Sequence, residues 1–324
     1  MTNALTRRSF VSTSIALALA ARGGALHAQS AGATQWVPIS AFGRESTAEE
    51  VTAGLDLTGK TAVVTGCNSG IGYETMRVLA LRGAHVIGTA RTKEKGAAAR
   101  DSLKGRVTPV VLELADFDSV AACADEIDAM GTPIDIVICN AAVLFGELRQ
   151  VRGIEMHFLV NHLGHFILVN RLLRRVLAAP QGRVVVVGSN NHNEAPQGGI
   201  QFDRLSGEGW DYYYHHSKLA NGLFSLHLAA RLTGTRATSN CLTPGPVRGT
   251  GILRNISASS DDYPKSPAQG AATQCYVATH PALAGVSGLY FADCNPAEQS
   301  EQQKDTAMAA RLWAVSEELT RGYV

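Results

Sequence analysis

Tyr214 and Lys218, a tyrosine and a lysine four residues apart, are the side chains of this sequence best suited to proton transfer. On a helix, four residues make about one turn, so both side chains would lie on one face. A free phenol has a pKa of about 10, too high for proton exchange at neutral pH. A nearby ammonium group favours the phenolate and lowers that pKa. The pair therefore predicts a tyrosine that acts as general acid and base.

A glycine-rich stretch far upstream predicts a binding site for phosphate groups. Residues 61–64 are mostly β-branched and largely apolar, as in a buried parallel strand, and a helical pattern begins at Tyr73. Between them, Gly66 permits a tight turn, Gly70 lets the backbone approach a pyrophosphate, and Gly72 lets the helix pack closely. The N-terminus of the helix offers free N–H groups to the phosphates. Strand, glycine turn and helix together indicate dinucleotide binding.

The end of the second predicted strand, residues 84–90, bears on which dinucleotide binds. A carboxylate there would hold the ribose 2′-hydroxyl of NAD, whereas an arginine would accept the 2′-phosphate of NADP. The residue is Arg91, with Lys93 and Lys95 close behind. We therefore expect NADP(H) as the favoured cofactor. NAD(H) stays open, because Glu94 could reach the ribose if the loop folds back.

The spacing T-G-x-x-x-G-I-G at 65–72 resembles the short-chain dehydrogenase/reductase superfamily. STAEEVTAGLDLTGK at 46–60 and NHLGHF at 161–166 resemble its branch of retinol dehydrogenases and WW-domain oxidoreductases. The resemblance covers residues 44 to 320. It implies an α/β fold, a single doubly wound Rossmann domain with a mostly parallel sheet of about seven strands flanked by helices. It also implies an NAD(P)-dependent enzyme that acts on CH–OH groups.

Asn161, Ser189, Tyr214 and Lys218 match the catalytic set of that family. The resemblance implies that Asn161 distorts its helix locally and holds a water that relays protons. Ser189 would donate a hydrogen bond to the substrate oxygen as charge develops there, although Gly188 replaces the first serine of the usual pair. Lys218 would also bind the nicotinamide ribose, and the cofactor would supply the hydride.

The resemblance also assigns residues to the cofactor. Glu113 stands where the family usually has an aspartate beside the adenine, and the turn at 244–247 would place the Val247 backbone near the carboxamide. Two residues depart from the pattern: Ala142 replaces the last glycine of N-A-G, and Thr250 comes one place later than the usual threonine. The predicted cofactor-binding residues are Gly66, Asn68, Ser69, Gly70, Ile71, Gly72, Arg91, Glu113, Leu114, Asn140, Ala141, Tyr214, Lys218, Pro244, Gly245 and Val247.

Other patterns predict the elements that carry these residues. A long helix is expected from Gly153 to Val176, and a short one after a capping box that begins at Ser46. Residues 248–266, rich in Gly, Ser and Asp, are expected to form a mobile substrate loop. His162 and His165 lie three apart on the long helix, but no third ligand is evident, so no metal is expected. Further strands are expected at 107–114, 134–139, 183–187, 237–242 and 288–291.

The composition of the chain limits the classes of partner that it could bind. The 324 residues, of which 45% are hydrophobic, suffice for one large domain, and the net charge of +1 gives no reason to expect nucleic acid. Six scattered cysteines without a C-x-x-C pair argue against zinc. No apolar run reaches the roughly 18 residues of a membrane span, so stable insertion is not expected. The expected partner is a small alcohol or carbonyl substrate, and a homo-oligomer stays open.

The N-terminus resembles a twin-arginine export signal. TRRSFV at 6–11 is followed by an apolar segment to Ala21 and by small residues. We therefore expect an export signal at 1–30, a lead-in at 31–55 and the domain at 56–324. A periplasmic enzyme that passes transiently through the twin-arginine translocase would follow. An unprocessed tail or weak anchor, and a cytoplasmic location, are the alternatives.

The leading functional hypothesis is an NADP(H)-dependent oxidoreductase that interconverts an alcohol with an aldehyde or ketone, with an apolar substrate by analogy. A non-catalytic dinucleotide sensor is one alternative, but a sensor has no need of all four catalytic residues. An epimerase or dehydratase on the same scaffold is another. Many sugar epimerases carry a larger C-terminal substrate domain, which this sequence lacks.

Overall fold

The computed structural model describes residues 37, 39–255 and 262–324. The segment predicted as an export signal, and residues 256–261 of the predicted substrate loop, lie outside the described residues. Residues 39–255 and 262–324 belong to one compact unit. Within these ranges no helix is both long and apolar enough to cross a membrane.

A central sheet of eight strands runs in the order β10-β9-β8-β7-β4-β1-β2-β3 through the described part of the chain. Neighbouring strands are parallel except β9 and β10, which are antiparallel. The predicted mostly parallel sheet of about seven strands is therefore confirmed. The strands are β1 (Thr61–Val64), β2 (His85–Ala90), β3 (Val107–Val111), β4 (Ile136–Cys139), β5 (Gln150–Val151), β6 (Ile154–Glu155), β7 (Arg183–Val187), β8 (Thr238–Thr243), β9 (Tyr290–Ala292) and β10 (Asn295–Pro296).

Helices cover the sheet. Strands β1, β4 and β7 are buried along their whole length, as expected for parallel strands that are covered on both faces. Helices α4, α5, α6 and α9 supply residues of the largest apolar core cluster. The helices are α1 (Ala48–Val51), α2 (Gly70–Leu81), α3 (Lys93–Asp101), α4 (Phe117–Ala129), α5 (Gly164–Leu177), α6 (Tyr213–Arg231), α7 (Pro267–Thr279), α8 (Glu301–Lys304) and α9 (Thr306–Leu319).

The capping box of α1 lies one residue later than predicted. Thr47, not Ser46, is the N-cap: its hydroxyl accepts from the Glu50 N–H at 3.3 Å, and the Glu50 carboxylate accepts from the Thr47 N–H at 2.7 Å. Ser46 instead accepts a hydrogen bond from the Gly43 N–H at 3.1 Å. Both serine and threonine can cap, so the spacing alone did not choose between them.

The predicted helix from Gly153 is wrong in its first part. Arg152 and Gly153 have φ of 56° and 73°, and this left-handed pair closes the hairpin between β5 and β6. The Glu155 carboxylate then accepts from the N–H groups of His157 and Phe158 at 2.9 and 2.8 Å. A π-helical segment, Phe158–Leu163, follows and runs into α5. It lies around Asn161, where the family resemblance implied a local distortion.

The order of the strands determines where a ligand can bind. From β1 the chain moves outward through β2 and β3, and then returns to β4 on the other side of β1 before it continues to β7 and β8. The order reverses between β1 and β4. In open parallel sheets, ligands bind at the carboxyl ends of the strands beside such a reversal. The turns after β1, β4, β7 and β8 lie at this edge.

Candidate active site

A cleft of about 1280 Å³ opens at this edge of the sheet. All sixteen predicted cofactor-binding residues line it, and so does Ser189. The lining includes the glycine turn after β1, the ends of β2 and β4, the start of α6 and the turn after β8. Two groups of residues that are far apart in the sequence, the glycine turn and the Tyr214–Lys218 pair, therefore share one cleft.

The glycine turn leaves no room for side chains at two positions. Gly66 has φ of 72°, and a Cβ there would lie 2.9 Å from the Ala141 Cβ. A Cβ on Gly72 would lie 2.2 Å from the Gly66 carbonyl oxygen. Helix α2 thus starts in direct contact with the turn, and its first three residues line the cleft. Such a cradle fits the pyrophosphate of a dinucleotide.

A buried hydrogen-bond network holds this turn. The Thr65 hydroxyl oxygen accepts from the N–H groups of Asn140 and Ala141, both at 2.9 Å, and lies 2.9 Å from His165 Nε2. His165 Nδ1 lies 3.1 Å from the Asn161 carbonyl oxygen. The carbonyl can only accept, so Nδ1 carries the proton, and Thr65 donates to Nε2. Burial lowers the pKa of His165 to about 4, which keeps the ring neutral.

The other histidine of the NHLGHF motif contacts a different partner. His162 Nε2 lies 2.7 Å from the Ser316 hydroxyl on α9, and burial lowers the pKa of the ring to about 3. The two rings hold separate contacts. Among the residues that the structure describes, no group of three or more His, Cys, Asp and Glu could hold a metal ion.

Asn161 connects three segments and is almost fully buried behind the cleft rather than lining it. Its amide oxygen accepts from the Val143 N–H at 2.8 Å, and its Nδ2 donates to the Val143 carbonyl at 3.2 Å and to the Ser217 hydroxyl at 3.0 Å. Ser217 in turn donates to the Tyr214 carbonyl at 2.8 Å. These contacts fix the loop after β4 and the first turn of α6. The part of Asn161 in a proton relay stays a prediction.

Lys218 lies on the same face of α6 as Tyr214. Its Nζ is 5.3 Å from the centre of the Tyr214 ring and donates to the Val187 carbonyl at 2.9 Å. Burial lowers the pKa of Lys218 to about 8. Burial raises the pKa of Tyr214, and a hydrogen bond with Ser189 acts in the opposite direction. The expected lowering of the Tyr214 pKa by Lys218 is therefore wrong for the protein groups alone, because burial outweighs other influences and the ammonium is held at Val187.

Ser189 belongs to a second hydrogen-bond network, which sequence reasoning missed. Its hydroxyl donates to Asn191 Oδ1 at 2.7 Å and accepts from the Asn191 N–H at 3.2 Å. Asn191 Nδ2 lies 2.9 Å from His215 Nε2, and His215 Nδ1 lies 3.3 Å from the Glu194 carbonyl oxygen. Asn191 and His215 both line the cleft.

The glycine before Ser189 also has a packing reason. A Cβ at Gly188 would lie 2.8 Å from the Cys241 sulfur and 3.0 Å from the Leu242 carbonyl oxygen. Cys241 belongs to the neighbouring strand β8 and is buried. A serine at position 188 would therefore collide with the Cys241 side chain on the next strand.

At the end of the cleft beside β2, Arg91 and Lys95 are exposed and line the cleft. Glu94 does not line it, and hydrogen bonds at the start of α3 lower the pKa of its carboxyl group. The Glu113 carboxylate accepts from the Ala115 N–H at 3.1 Å, so it supports its own turn as well as lining the cleft.

The turn after β8 is anchored by a buried lysine. Gly245 has φ of 76°, and Lys265 Nζ donates to the Pro244 carbonyl at 3.2 Å and pairs with Asp293 at 2.5 Å. Lys265 is 4% exposed, and its backbone also pairs with Val247. The ion pair therefore holds the turn beside the cleft.

Thr250 reaches the glycine turn despite its late position in the sequence. A Cβ on Gly70 would lie 3.4 Å from Thr250 Cγ2, and Thr250 lines the cleft. Gly249, with φ of 69°, takes the extra residue in a left-handed conformation. Thr250 is thus a cleft residue that the predicted set did not include.

Comparison with known proteins assigns the family. The family model of the short chain dehydrogenases matches residues 60–261. The chain belongs to the short-chain dehydrogenase/reductase family. It is 38% identical to a WW domain-containing oxidoreductase of Pongo abelii over 294 residues, 85% of this chain and 71% of that protein. It is 37% identical to retinol dehydrogenase 11 of Mus musculus, across 82% of this chain and 87% of that protein. The predicted branch is confirmed.

Solved structures agree on the fold. An uncharacterised protein of Mycobacterium paratuberculosis matches with a TM-score of 0.69 and 32% identity, over 84% of this chain and 97% of its own. A protein described as an NAD(P)-dependent gluconate 5-dehydrogenase of Beutenbergia cavernae, solved with bound NADP, matches with a TM-score of 0.58 and 25% identity, over 73% and 95%. The chain is therefore an enzyme, an oxidoreductase of a family that binds NAD(P) and acts on CH–OH groups.

The remaining wall of the dehydrogenase cleft is largely apolar and includes Leu144, Phe145 and Met156. A fully buried pair holds this wall. His157 Nε2 accepts from the Phe145 N–H at 2.9 Å, and His157 Nδ1 lies 2.5 Å from Glu155 Oε1. The Glu155 carboxylate is thus used twice, at the start of the π-helical segment and behind the wall.

Proposed function

We propose that this dehydrogenase is an NADP(H)-dependent enzyme that interconverts apolar alcohols with aldehydes or ketones, with Tyr214 as general acid and base. The observation that carries the proposal is the shared cleft, which Tyr214, Ser189, Lys218 and the glycine turn all line. The cradle around Gly66 and Gly72 fits a dinucleotide. Bound NADPH would supply the hydride.

In carbonyl reduction, Tyr214 donates its proton to the substrate oxygen. Ser189 donates a hydrogen bond to the same oxygen, where negative charge develops. Burial raises the pKa of Tyr214, so the phenol holds its proton at neutral pH and is ready as an acid. In alcohol oxidation, the Tyr214 phenolate takes the proton of the alcohol. The Lys218 ammonium, 5.3 Å from the centre of the ring, and the positive nicotinamide of bound NADP⁺ would together favour that phenolate before the proton is taken.

The preference for NADP(H) rests on the charges beside β2. Arg91 and Lys95 are exposed at the cleft, where a 2′-phosphate would extend from the adenosine ribose. Glu94, the carboxylate that would favour NAD, does not line the cleft. The Beutenbergia neighbour, solved with NADP, supports the same preference.

The proposed substrate class rests on the apolar wall at Leu144, Phe145 and Met156 and on the names of the retinol dehydrogenase relatives. Purified enzyme should be assayed with aliphatic and aromatic aldehydes, ketones and sugars, each with NADPH and with NADH. Consumption is followed at the absorbance of the reduced cofactor. We expect the fastest turnover with apolar aldehydes and NADPH. Turnover of sugars alone, or equal use of NADH, would contradict the substrate or cofactor assignment.

Export through the twin-arginine route is part of the proposal, and it rests on the TRRSFV sequence alone. Free NADP(H) is not expected to be recycled outside the cytoplasm. We therefore expect the enzyme to leave with its nucleotide tightly bound and to use two substrates in turn. Denatured periplasmic enzyme should release about one nucleotide per chain. Active periplasmic enzyme without nucleotide would contradict this part, and enzyme found only in the cytoplasm would contradict export.

A further inference from the structure

We propose that Asn191 and His215 are positioning residues that determine the direction in which Ser189 donates its proton. The inference rests on the proposed function, in which Ser189 donates to the substrate oxygen. Neither residue belongs to the matched catalytic set. Both line the cleft, on the side where Ser189 meets Tyr214.

The proton of the Ser189 hydroxyl is committed within the protein. A hydroxyl has one proton and can accept two hydrogen bonds. The proton points to Asn191 Oδ1 at 2.7 Å, and the oxygen accepts from the Asn191 N–H at 3.2 Å. In this arrangement Ser189 has no proton to offer a substrate.

The orientation of the Asn191 amide maintains this arrangement. Its Nδ2 donates to His215 Nε2 at 2.9 Å, which requires an unprotonated Nε2. His215 then carries its proton on Nδ1, which faces the Glu194 carbonyl oxygen at 3.3 Å. Every side-chain hydrogen bond from Ser189 to Glu194 thus runs in one direction, away from Ser189.

A proton on His215 Nε2 reverses the network. His215 would then donate to Asn191 Oδ1, and the amide would turn by half a rotation so that Nδ2 donates to the Ser189 oxygen. That oxygen would accept from the backbone N–H and Nδ2 of Asn191. The Ser189 proton would become free for the substrate oxygen. The reversal adds one N–H bond, at His215 Nε2, with a proton from solvent, and otherwise exchanges only hydrogen bonds.

The Glu194 carboxylate lies 3.9 Å from His215 Nδ1 and is 72% exposed, and Tyr212 stacks on the ring at 4.9 Å. A ring that carries both protons would donate to Asn191 and to the Glu194 carbonyl at the same time.

Two substitutions, Asn191→Asp and Asn191→Ala, test whether Asn191 orients the Ser189 proton or only supports the local structure. An aspartate side chain can only accept and keeps the Ser189 proton, whereas alanine releases it. We expect kcat for aldehyde reduction in Asn191→Asp to be at least about tenfold below that in Asn191→Ala, and close to that in Ser189→Ala. The dissociation constant of NADPH should stay the same in all three variants.

The outcomes separate the two proposals. The probe is the panel aldehyde with the highest kcat/KM, at saturating NADPH. If Asn191→Ala is as impaired as Asn191→Asp or more, while Ser189→Ala is inactive, the positioning role is overturned and the proposed function stands. If Ser189→Ala turns over like the unmodified enzyme, the role of Ser189 in the proposed function is overturned, and the positioning role with it.

A measurement without substrate tests the resting arrangement. Nitrogen NMR of histidine-labelled enzyme, with His215→Gln to assign the ring signals, reports which nitrogen carries the proton. We expect the neutral ring of His215 to carry its proton on Nδ1, because Nε2 accepts from Asn191 Nδ2. A neutral ring protonated on Nε2 would overturn the proposal.

Discussion

Two hydroxyl groups at the same edge of the sheet, those of Thr65 and Ser189, have opposite surroundings. Thr65 follows β1, is fully buried, and accepts from two backbone N–H groups of the strand-end loop after β4. Ser189 follows β7, is half-buried, and gives its proton to a side-chain amide. The network of Thr65 ends in the neutral, buried His165, whereas that of Ser189 reaches the exposed Glu194.

The Thr65 network is a fixed support for the glycine turn, whereas the Ser189 network holds a donor whose direction can change. The backbone N–H groups of Asn140 and Ala141 can only donate, so the Thr65 network holds the glycine turn in one geometry. An amide and an imidazole can exchange donor and acceptor roles, so the Ser189 network can change direction. Phosphate binding requires the first property, and proton transfer benefits from the second.

The largest effect should come from breaking the fixed network with Thr65→Val. Valine has nearly the same shape but leaves the Ala141 N–H and His165 Nε2 without their partner, while the Asn140 N–H keeps only its bond to the Ile138 carbonyl at 3.0 Å. Because each buried polar group left unpaired costs about 1–3 kcal/mol, we expect a loss of about 3 kcal/mol in the free energy of unfolding. Urea denaturation measures it, and Thr65→Ser, which keeps the hydroxyl, is the control. Equal stability of Thr65→Val and the unmodified enzyme would refute the fixed-cradle account.

A smaller effect should come from Arg91, which we expect to influence the choice of cofactor and not the catalytic step. Removing Arg91 as Arg91→Ala should weaken NADPH binding about tenfold, since a hydrogen bond to a charged group contributes about 1.5–3 kcal/mol and this site is exposed. Binding of NADH should change little. Lys93→Ala is the matched control, because Lys93 does not line the cleft. If fluorescence titration shows equal losses for both nucleotides, Arg91 does not recognise the 2′-phosphate.

The smallest effect concerns the buried ammonium of Lys218. Burial lowers its pKa from 10.5 to about 8, so the folded state binds fewer protons than the unfolded chain between these values. Folding therefore carries a cost below pH 8 that disappears as the pH rises towards 10.5. At pH 7 we expect the free energy of unfolding of Lys218→Met to be about 1 kcal/mol higher than that of the unmodified enzyme. This difference should shrink above pH 8. Turnover should be lost in the variant. A variant less stable at pH 7 would contradict the sign.

The cleft residues could be predicted because the family resemblance assigned most of them and a local pattern assigned the others. Glycines at 66 and 72, just after a buried strand, fall at the carboxyl edge of a parallel sheet. All sixteen expected cofactor residues consequently line the cleft. Their binding roles stay predictions until a nucleotide complex is solved.

Partners chosen across the fold could not be predicted in the same way. Thr65 and His165 are a hundred residues apart, and nothing in their neighbourhoods indicates that they meet. The hairpin at Arg152 was missed because an arginine seldom adopts positive φ. The raised pKa of Tyr214 depends on burial, which spacing to Lys218 does not reveal.

The central claim is that the Tyr214 phenol moves the proton in the reaction. Its most direct test is Tyr214→Phe, with aldehyde reduction and NADPH binding measured on the same preparation. We expect kcat to fall at least about 100-fold, because general acid catalysis contributes about 10²–10⁴ in rate, while the dissociation constant of NADPH stays the same. Turnover near that of the unmodified enzyme, with NADPH still bound, would contradict the account.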